Sequence, residues 1–205
     1  MSSLLIVGAG GHGRVVADAA ISTGLWDTVA FLDDRAQPRL LDFEVVGALA
    51  DLEHVALRFD AVALGVGDNR ARWALYTRCM QAKRAPAVIA HASAAVSPYA
   101  RIGPGTVVFA QAVVNPGAVL GAACIVNSAA SVDHDCNLGD AVHVSPGANL
   151  AGNVSVGARS WIGIGACVRQ GITIGADVIV GAGSVVVSDV AQAVTVFGVP
   201  AKVRK

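Results

Sequence analysis

The chain has 205 residues, 54% of them hydrophobic but only 5% aromatic and 15% charged, so its apolar content is Ala, Val, Ile and Leu. Fifteen basic and fifteen acidic side chains cancel to zero net charge, which gives no support to nucleic-acid or anionic-membrane binding. No apolar run reaches the roughly 18 residues of a membrane span, no leader pattern opens the chain, and the low charge argues against disorder.

Residues 4–8, Leu-Leu-Ile-Val-Gly, read as a buried strand, and Gly8-Ala9-Gly10-Gly11-His12-Gly13 leads into a helix over residues 14–20. Val29 to Leu32 reads as a second strand ending in Asp33-Asp34. Phe43 to Val46 reads as a short third and Ala61 to Val66 as another, followed by Gly67-Asp68-Asn69 and a helix through Arg72 and Tyr76. Val88-Ile89 reads as a last strand. Alternating strands and helices predict a parallel sheet. Gly8-x-Gly10-x-x-Gly13 fits the dinucleotide fingerprint, with Asp33 20 residues beyond Gly13. Yet about 90 residues hold one mononucleotide half rather than two. The more general physics is a Gly-rich turn that lets a phosphate reach backbone N–H groups at a helix N-terminus. Asp33 or Asp34 would then meet ribose hydroxyls or a sugar amine. Tight-turn packing alone remains an alternative.

From Val96, every sixth residue through Val186 is Val, Ile or Leu, sixteen sites in succession. Four residues after each lies a small or β-branched residue, Ala100, Thr106, Ala112, Ala118, Cys124 and onward. Two inward positions in six do not make a helix stripe. They make a short strand and a corner. Gly103, Gly121, Gly139, Gly157 and Gly175 recur every 18 residues, so three sides complete a turn: a hexapeptide parallel β-helix of about five coils. These glycines, with Asn115, Asn127, Asp133, Gly163 and Gly181 at the same post-core position, are expected to supply positive φ at the corners. Two domains follow, an α/β unit over 1–90 and the prism with its tail over 91–205. A narrow prism with flat sides predicts a homo-oligomer, most naturally three prisms about a three-fold axis.

The four cysteines, Cys79, Cys124, Cys136 and Cys167, lack metal-ligand spacing and read as reduced thiols of a cytoplasmic protein, Cys124 and Cys136 packing inside the prism. Of five histidines, His54 reads as solvated and His91 as a junction residue. His134, in Val132-Asp133-His134-Asp135-Cys136, points outward from a corner between two carboxylates that favour its protonation. A plain surface histidine is the alternative. His143 is also outward, half a coil away, so the two lie on different sides of one chain and meet only across a subunit interface.

The whole chain resembles the bacterial sugar acetyltransferases that include the UDP-4-amino-sugar (bacillosamine-pathway) N-acetyltransferases and the sialic acid O-acetyltransferases. The resemblance rests on Val7 to Gly13, Phe31-Leu32-Asp33-Asp34, Gly67-Asp68-Asn69-Arg70, Asn127 to His143, and Phe197 to Lys202. It implies a Rossmann-like α/β domain followed by a left-handed parallel β-helix, a homotrimer, and acetyl-CoA as donor without a metal. By resemblance His134 matches the general base and Asp135 its carboxylate partner, a position where many relatives carry the longer Glu. His143 matches a contact to the thioester end of acetyl-CoA, and Gly152, Ile164 and Ala182 match the CoA groove between subunits. Gly10, Gly11, His12, Asp33, Asp34 and Gly67 match the nucleotide-sugar pocket. Lys202, Arg204 and Lys205 are candidates for the CoA phosphates.

These residues predict direct acyl transfer, His134 removing the proton of a sugar amine as it attacks the thioester. The acceptor is expected to be a nucleotide-linked 4-amino sugar used in surface polysaccharide or glycan synthesis, with a sugar hydroxyl, as in sialic acid O-acetylation, as the alternative. Two more distant alternatives are a non-catalytic nucleotide-sugar-binding scaffold and a zinc site of the γ-carbonic anhydrase type. The latter needs three histidines, and the prism pattern offers His134 and His143.

Overall fold

The computed structural model describes residues 2–34 and 38–204. Ser3–Val7 (β1), Gly11–Ser22 (α1) and Thr28–Leu32 (β2) open the chain. A short antiparallel hairpin follows, Arg39–Leu40 (β3) with Phe43–Glu44 (β4). Leu52–Val55 (α2), Ala61–Leu64 (β5) and Asn69–Gln81 (α3) complete the α/β unit. The sheet is parallel with order β2-β1-β5. Central β1 is flanked on both sides, and its Leu4 to Val7 are fully buried, which is why it reads as an unbroken apolar run. As expected from its length, this is one half of a dinucleotide fold. Helix α1 begins three residues earlier than the sequence pattern suggested, so Gly11, His12 and Gly13 form its first turn.

The prism has three parallel faces of two-residue rungs. Face I runs from Ala95–Val96 to Val185–Val186 in six rungs. Face II runs from Arg101–Ile102 to Thr173–Ile174 in five. Face III starts at Ile89–Ala90, which pairs with Val107–Val108, so the residues expected to end the first domain are the first rung of the second. It ends on Thr195–Gly198, with Ala201–Val203 returning antiparallel beside it. The second residue of each rung points in and stacks on its equivalent one coil away, and Cys124 and Cys136 are wholly buried on the small track, as expected. Inward hydroxyls are satisfied locally: Thr106 Oγ1 donates to the Gly121 carbonyl at 3.0 Å and Ser160 Oγ to that of Gly175 at 2.7 Å.

The glycine superperiod has a different cause from the one expected. Gly103, Gly121, Gly139, Gly157 and Gly175 do not take positive φ. That conformation falls two residues further on, at Gly105, Ala123, Ala141, Arg159 and Asp177 on the same edge. The five glycines are instead required by stacking: a Cβ on Gly103 would lie 2.5 Å from the Gly121 carbonyl carbon, and one on Gly139 2.7 Å from the Ala158 nitrogen. Coils touch backbone to backbone at this II–III edge. Gly157→Ala should therefore cost about 1–3 kcal/mol as the coils are forced apart, read as a lower unfolding midpoint in denaturant with retained β-sheet circular dichroism.

The α/β unit sits on face III. Ile89, Val107 and Ile125, the outward residues of successive rungs, share a core with Leu4, Ile6, Val16 and Phe31. These three rungs are apolar outside as well as inside because they are buried twice, whereas Trp161 and Ile179 further along the face are exposed. No helix among the described residues is long and apolar enough to cross a membrane.

Candidate active site

The candidate residues fall into two groups, in different parts of the molecule. The first is the I–II edge, at three stacked corners: Asn115-Pro116-Gly117, Asp133-His134-Asp135 and Ala151-Gly152-Asn153. Asp133 Oδ1 accepts from the His134 backbone N–H at 2.8 Å and from Asn115 Nδ2 at 2.7 Å, fixing the turn. Asp135 takes φ +58°, and its Oδ2 lies 2.9 Å from His134 Nδ1. The shorter Asp thus reaches the ring. This hydrogen bond first, then the charges of Asp133 and Asp135, hold the His134 pKa above its usual value, although the ring is half exposed. With Nδ1–H donated to Asp135, Nε2 carries the lone pair of the neutral ring. Gly152 lies directly over that nitrogen: a Cβ there would fall 2.5 Å from His134 Cε1 and closer still to Nε2. Gly117 leaves the same kind of space beside Asp135 Oδ1.

The second group is the seam between α/β unit and prism. Gly8, Gly10, Gly11, His12, Asp33, Gly65, Val66 and Gly67 line a cavity of about 220 Å³. Gly8 has φ +110°, and a Cβ on either Gly13 or Gly65 would collide with its carbonyl oxygen, so part of the glycine pattern is loop packing, as the alternative reading held. Gly11, by contrast, faces open space. The first-turn N–H groups of α1 have no intrahelical acceptor, and no acidic side chain sits there, so the helix end favours an anion. Asp33 and Asp34 are engaged with backbone: Asp33 Oδ2 accepts from Ala9 N at 2.6 Å and Asp34 Oδ1 from Leu49 N at 2.8 Å.

His12 and His143 meet beneath this cavity, ring centroids 6.5 Å apart. His143 is outward from the prism, as the spacing predicts, but the α/β unit covers it to 6% exposure. Its ring stacks on Trp161 at 5.0 Å, and Trp161 Nε1 donates to Ser145 Oγ at 2.6 Å. Asn127 Oδ1 accepts from Ser128 N, so its Nδ2 is the donor to His143 Nε2 at 3.1 Å, which leaves the proton of the neutral ring on Nδ1. Burial, then the positive charge of Arg72, lowers the His12 pKa to about 4; the same two causes, with His12, lower that of His143 to about 3. His143 Nδ1 and His12 Nε2 are buried without a partner.

The sign of the pH effect follows. Below about pH 6.5 the unfolded chain binds protons on both histidines that the folded chain refuses, so stability falls with falling pH by up to about 1.4 kcal/mol per unit per histidine. The loss ends once the folded pKa values near 4 and 3 are passed. Thermal midpoints measured from pH 7 to 4 should drop, and His143→Gln should flatten the curve; an unchanged slope would remove His143 from the account.

His134 and His143 stay on different edges, as their spacing predicts. Ile164 and Ala182 are exposed on the III–I edge, where Gly183 N donates to the Ile164 carbonyl at 2.8 Å. Gly152 lies on the other edge of face I, so within one chain these three do not share a groove. Lys202 and Arg204 lie on and just after the closing antiparallel strand, and Lys205 falls outside the described residues. Sequence reasoning did not pick out Arg72, Asn127 or Trp161. One signal was available: Asn69, Arg72, Leu75 and Cys79 lie at helical spacing on the buried stripe of α3, an unusual place for a charge. Among the described residues, no three His, Cys, Asp or Glu side chains converge as a metal site.

A hexapeptide-repeat β-helix bearing a small nucleotide-type α/β domain, with an exposed His–Asp pair, defines an acyltransferase-like class of protein. Residues 3–79 match the PglD N-terminal domain family. The chain is 44% identical to the acetyltransferase domain of PglB from Neisseria gonorrhoeae, each chain covered completely, with a TM-score of 0.97. The same domain in complex with acetyl coenzyme A matches at 44% identity over 98% of each chain, TM-score 0.96. PerB from Caulobacter crescentus, in complex with CoA and GDP-perosamine, is 40% identical over 100% of this chain and 98% of that one, TM-score 0.94. A search of curated protein sequences returned no match. The chain belongs to the bacterial sugar N-acetyltransferase family of hexapeptide-repeat proteins.

Proposed function

We propose that this protein transfers the acetyl group of acetyl-CoA to the amino group of a nucleotide-linked 4-amino sugar. The observation that carries the reading is the His134–Asp135 pair, held at 2.9 Å on a half-exposed ring, in a chain 40% identical to a relative bound to CoA and GDP-perosamine. That relative is also known as histidine variants in the same complex, and one such structure is described as a GDP-perosamine N-acetyl transferase.

The α/β cavity takes the nucleotide: phosphates at the N-terminus of α1 beside Gly10, Gly11, His12 and Gly67, the remaining groups toward Asp33 and Asp34. The amine nitrogen attacks the thioester carbon while His134 Nε2 accepts its proton. Asp135 keeps Nδ1 protonated and stabilises the imidazolium. A backbone N–H at this edge, or the Nδ1–H of His143, stabilises the oxyanion. The C–S bond then breaks, and the imidazolium returns its proton to the departing CoA sulfur. Because base and cavity lie on different edges of one chain, they come together between subunits of a homotrimer, with Gly152 of one edge and Ile164 and Ala182 of the other bordering the CoA groove. Four free thiols suit a reducing compartment.

The test is thiol release from acetyl-CoA with a panel of UDP- and GDP-linked amino sugars and their hydroxy analogues. Turnover with an amino sugar is expected. Turnover confined to hydroxy sugars would replace the N-acetyl reading by an O-acetyl one, and binding without turnover would favour a scaffold.

A further inference from the structure

Arg72 is the largest fully buried side chain among the described residues, with 0% exposure. A guanidinium carries five N–H donors. Nε donates to the Ala123 carbonyl at 2.7 Å; Nη2 donates to the Ala141 carbonyl and to Asn69 Oδ1, both at 2.9 Å. Nη1 donates to the Gly67 carbonyl at 2.7 Å and the Val66 carbonyl at 3.4 Å. Every one of these acceptors is neutral. Ala123 and Ala141 both have φ +55° on the II–III edge, and their carbonyls receive the arginine. Asn69 continues the clamp, its Nδ2 donating to the Arg159 and Ser160 carbonyls at 2.9 and 3.2 Å.

The charge of Asp68, four residues earlier at the cap of α3, favours the guanidinium, but every hydrogen bond Arg72 makes is to a neutral acceptor. Burying a cation on neutral acceptors is costly, and apolar packing would join two domains at least as well, so the charge points to an anion. Val66 and Gly67, held by Nη1, form one wall of the cavity whose other wall is the N-terminus of α1. We propose that Arg72 is a positioning residue for the phosphates of the sugar nucleotide: it locks the Val66–Gly67 wall to the prism and places a permanent positive charge behind it. The inference rests on the nucleotide reading of that cavity. The same field reaches His12 and His143, where Arg72 ranks after burial in opposing protonation, so the seam holds its positive charge at one site. Asp33 lines the same cavity, and the Asp68 carboxylate is engaged at the cap of α3, accepting from Ala71 N at 2.8 Å.

Calorimetric titration of inorganic pyrophosphate, UDP and GDP into the wild type, Arg72→Met and Arg72→Lys, with CoA in parallel, tests this. Arg72→Met should bind the diphosphates roughly 10- to 30-fold more weakly, while Arg72→Lys, which keeps the charge and loses the fork, stays within about three-fold despite a lower melting temperature. CoA affinity should hold in both. Equal diphosphate affinity in Arg72→Met, or equal losses in Met and Lys, would overturn the role of the charge. A wild type that binds no diphosphate would instead overturn the nucleotide reading, and the inference with it. If Arg72→Met does not fold, Arg72→Gln, which keeps hydrogen-bond donors and loses the charge, is titrated in its place: the same loss of diphosphate affinity is expected, and an affinity equal to wild type would overturn the role of the charge.

Discussion

His134→Ala is expected to lower kcat/KM by about 10²–10⁴, the usual contribution of a positioned general base. Binding of acetyl-CoA and of nucleotide should be little changed, because the ring projects from a corner and supports neither core. Near-wild-type kcat/KM with a true acceptor would remove His134 from the mechanism. The pH profile carries a second check. The base works only when neutral, and Asp135 and Asp133 hold its pKa above the ordinary 6.5. Wild-type kcat/KM should therefore fall as pH drops through that raised value. Asp135→Asn, which keeps the shape and removes the charge, should move this acidic limb to lower pH while lowering the plateau. A limb that stays in place would mean that another group titrates.

Gly152→Ala should cost about 10²-fold in kcat/KM, the scale of a misplacement near 1 Å. Gly152 does not occupy the positive-φ region, so the backbone accepts alanine. The added methyl conflicts with His134, whose Cε1 would be 2.5 Å away. A half-exposed ring can swing into solvent at little cost, so the melting temperature should hold while the base leaves its place. The double variant isolates this cause: in the His134→Ala background Gly152→Ala should have almost no further effect on rate. A full additional loss there would assign Gly152 a role of its own, such as its N–H at the oxyanion.

The two variants bracket what a reading of residues can and cannot reach. His134 was legible because the six-residue register assigns each side chain to inside or outside, and an outward imidazole between two carboxylates has few structural uses. The register also separated His134 from His143. It did not reveal that a domain covers face III, since outward Ile89, Val107 and Ile125 look like any rung. Hence His143 emerges as a buried neutral ring stacked on Trp161 rather than an exposed one. The glycine period was plain, but its cause was not, because spacing does not distinguish a corner that needs positive φ from one that needs room for the next coil.

By itself the sequence determined the parallel prism, the single α/β half before it, the Gly-rich loop and the outward placement of His134, all of which are local patterns that a short window encodes. Only the tertiary structure decided what touches what across 50 or more residues. It buried Arg72 against the carbonyls of Ala123 and Ala141 and brought His12 and His143 together. Such contacts follow from how coils stack and domains dock. They depend on distances between segments that no single repeat records.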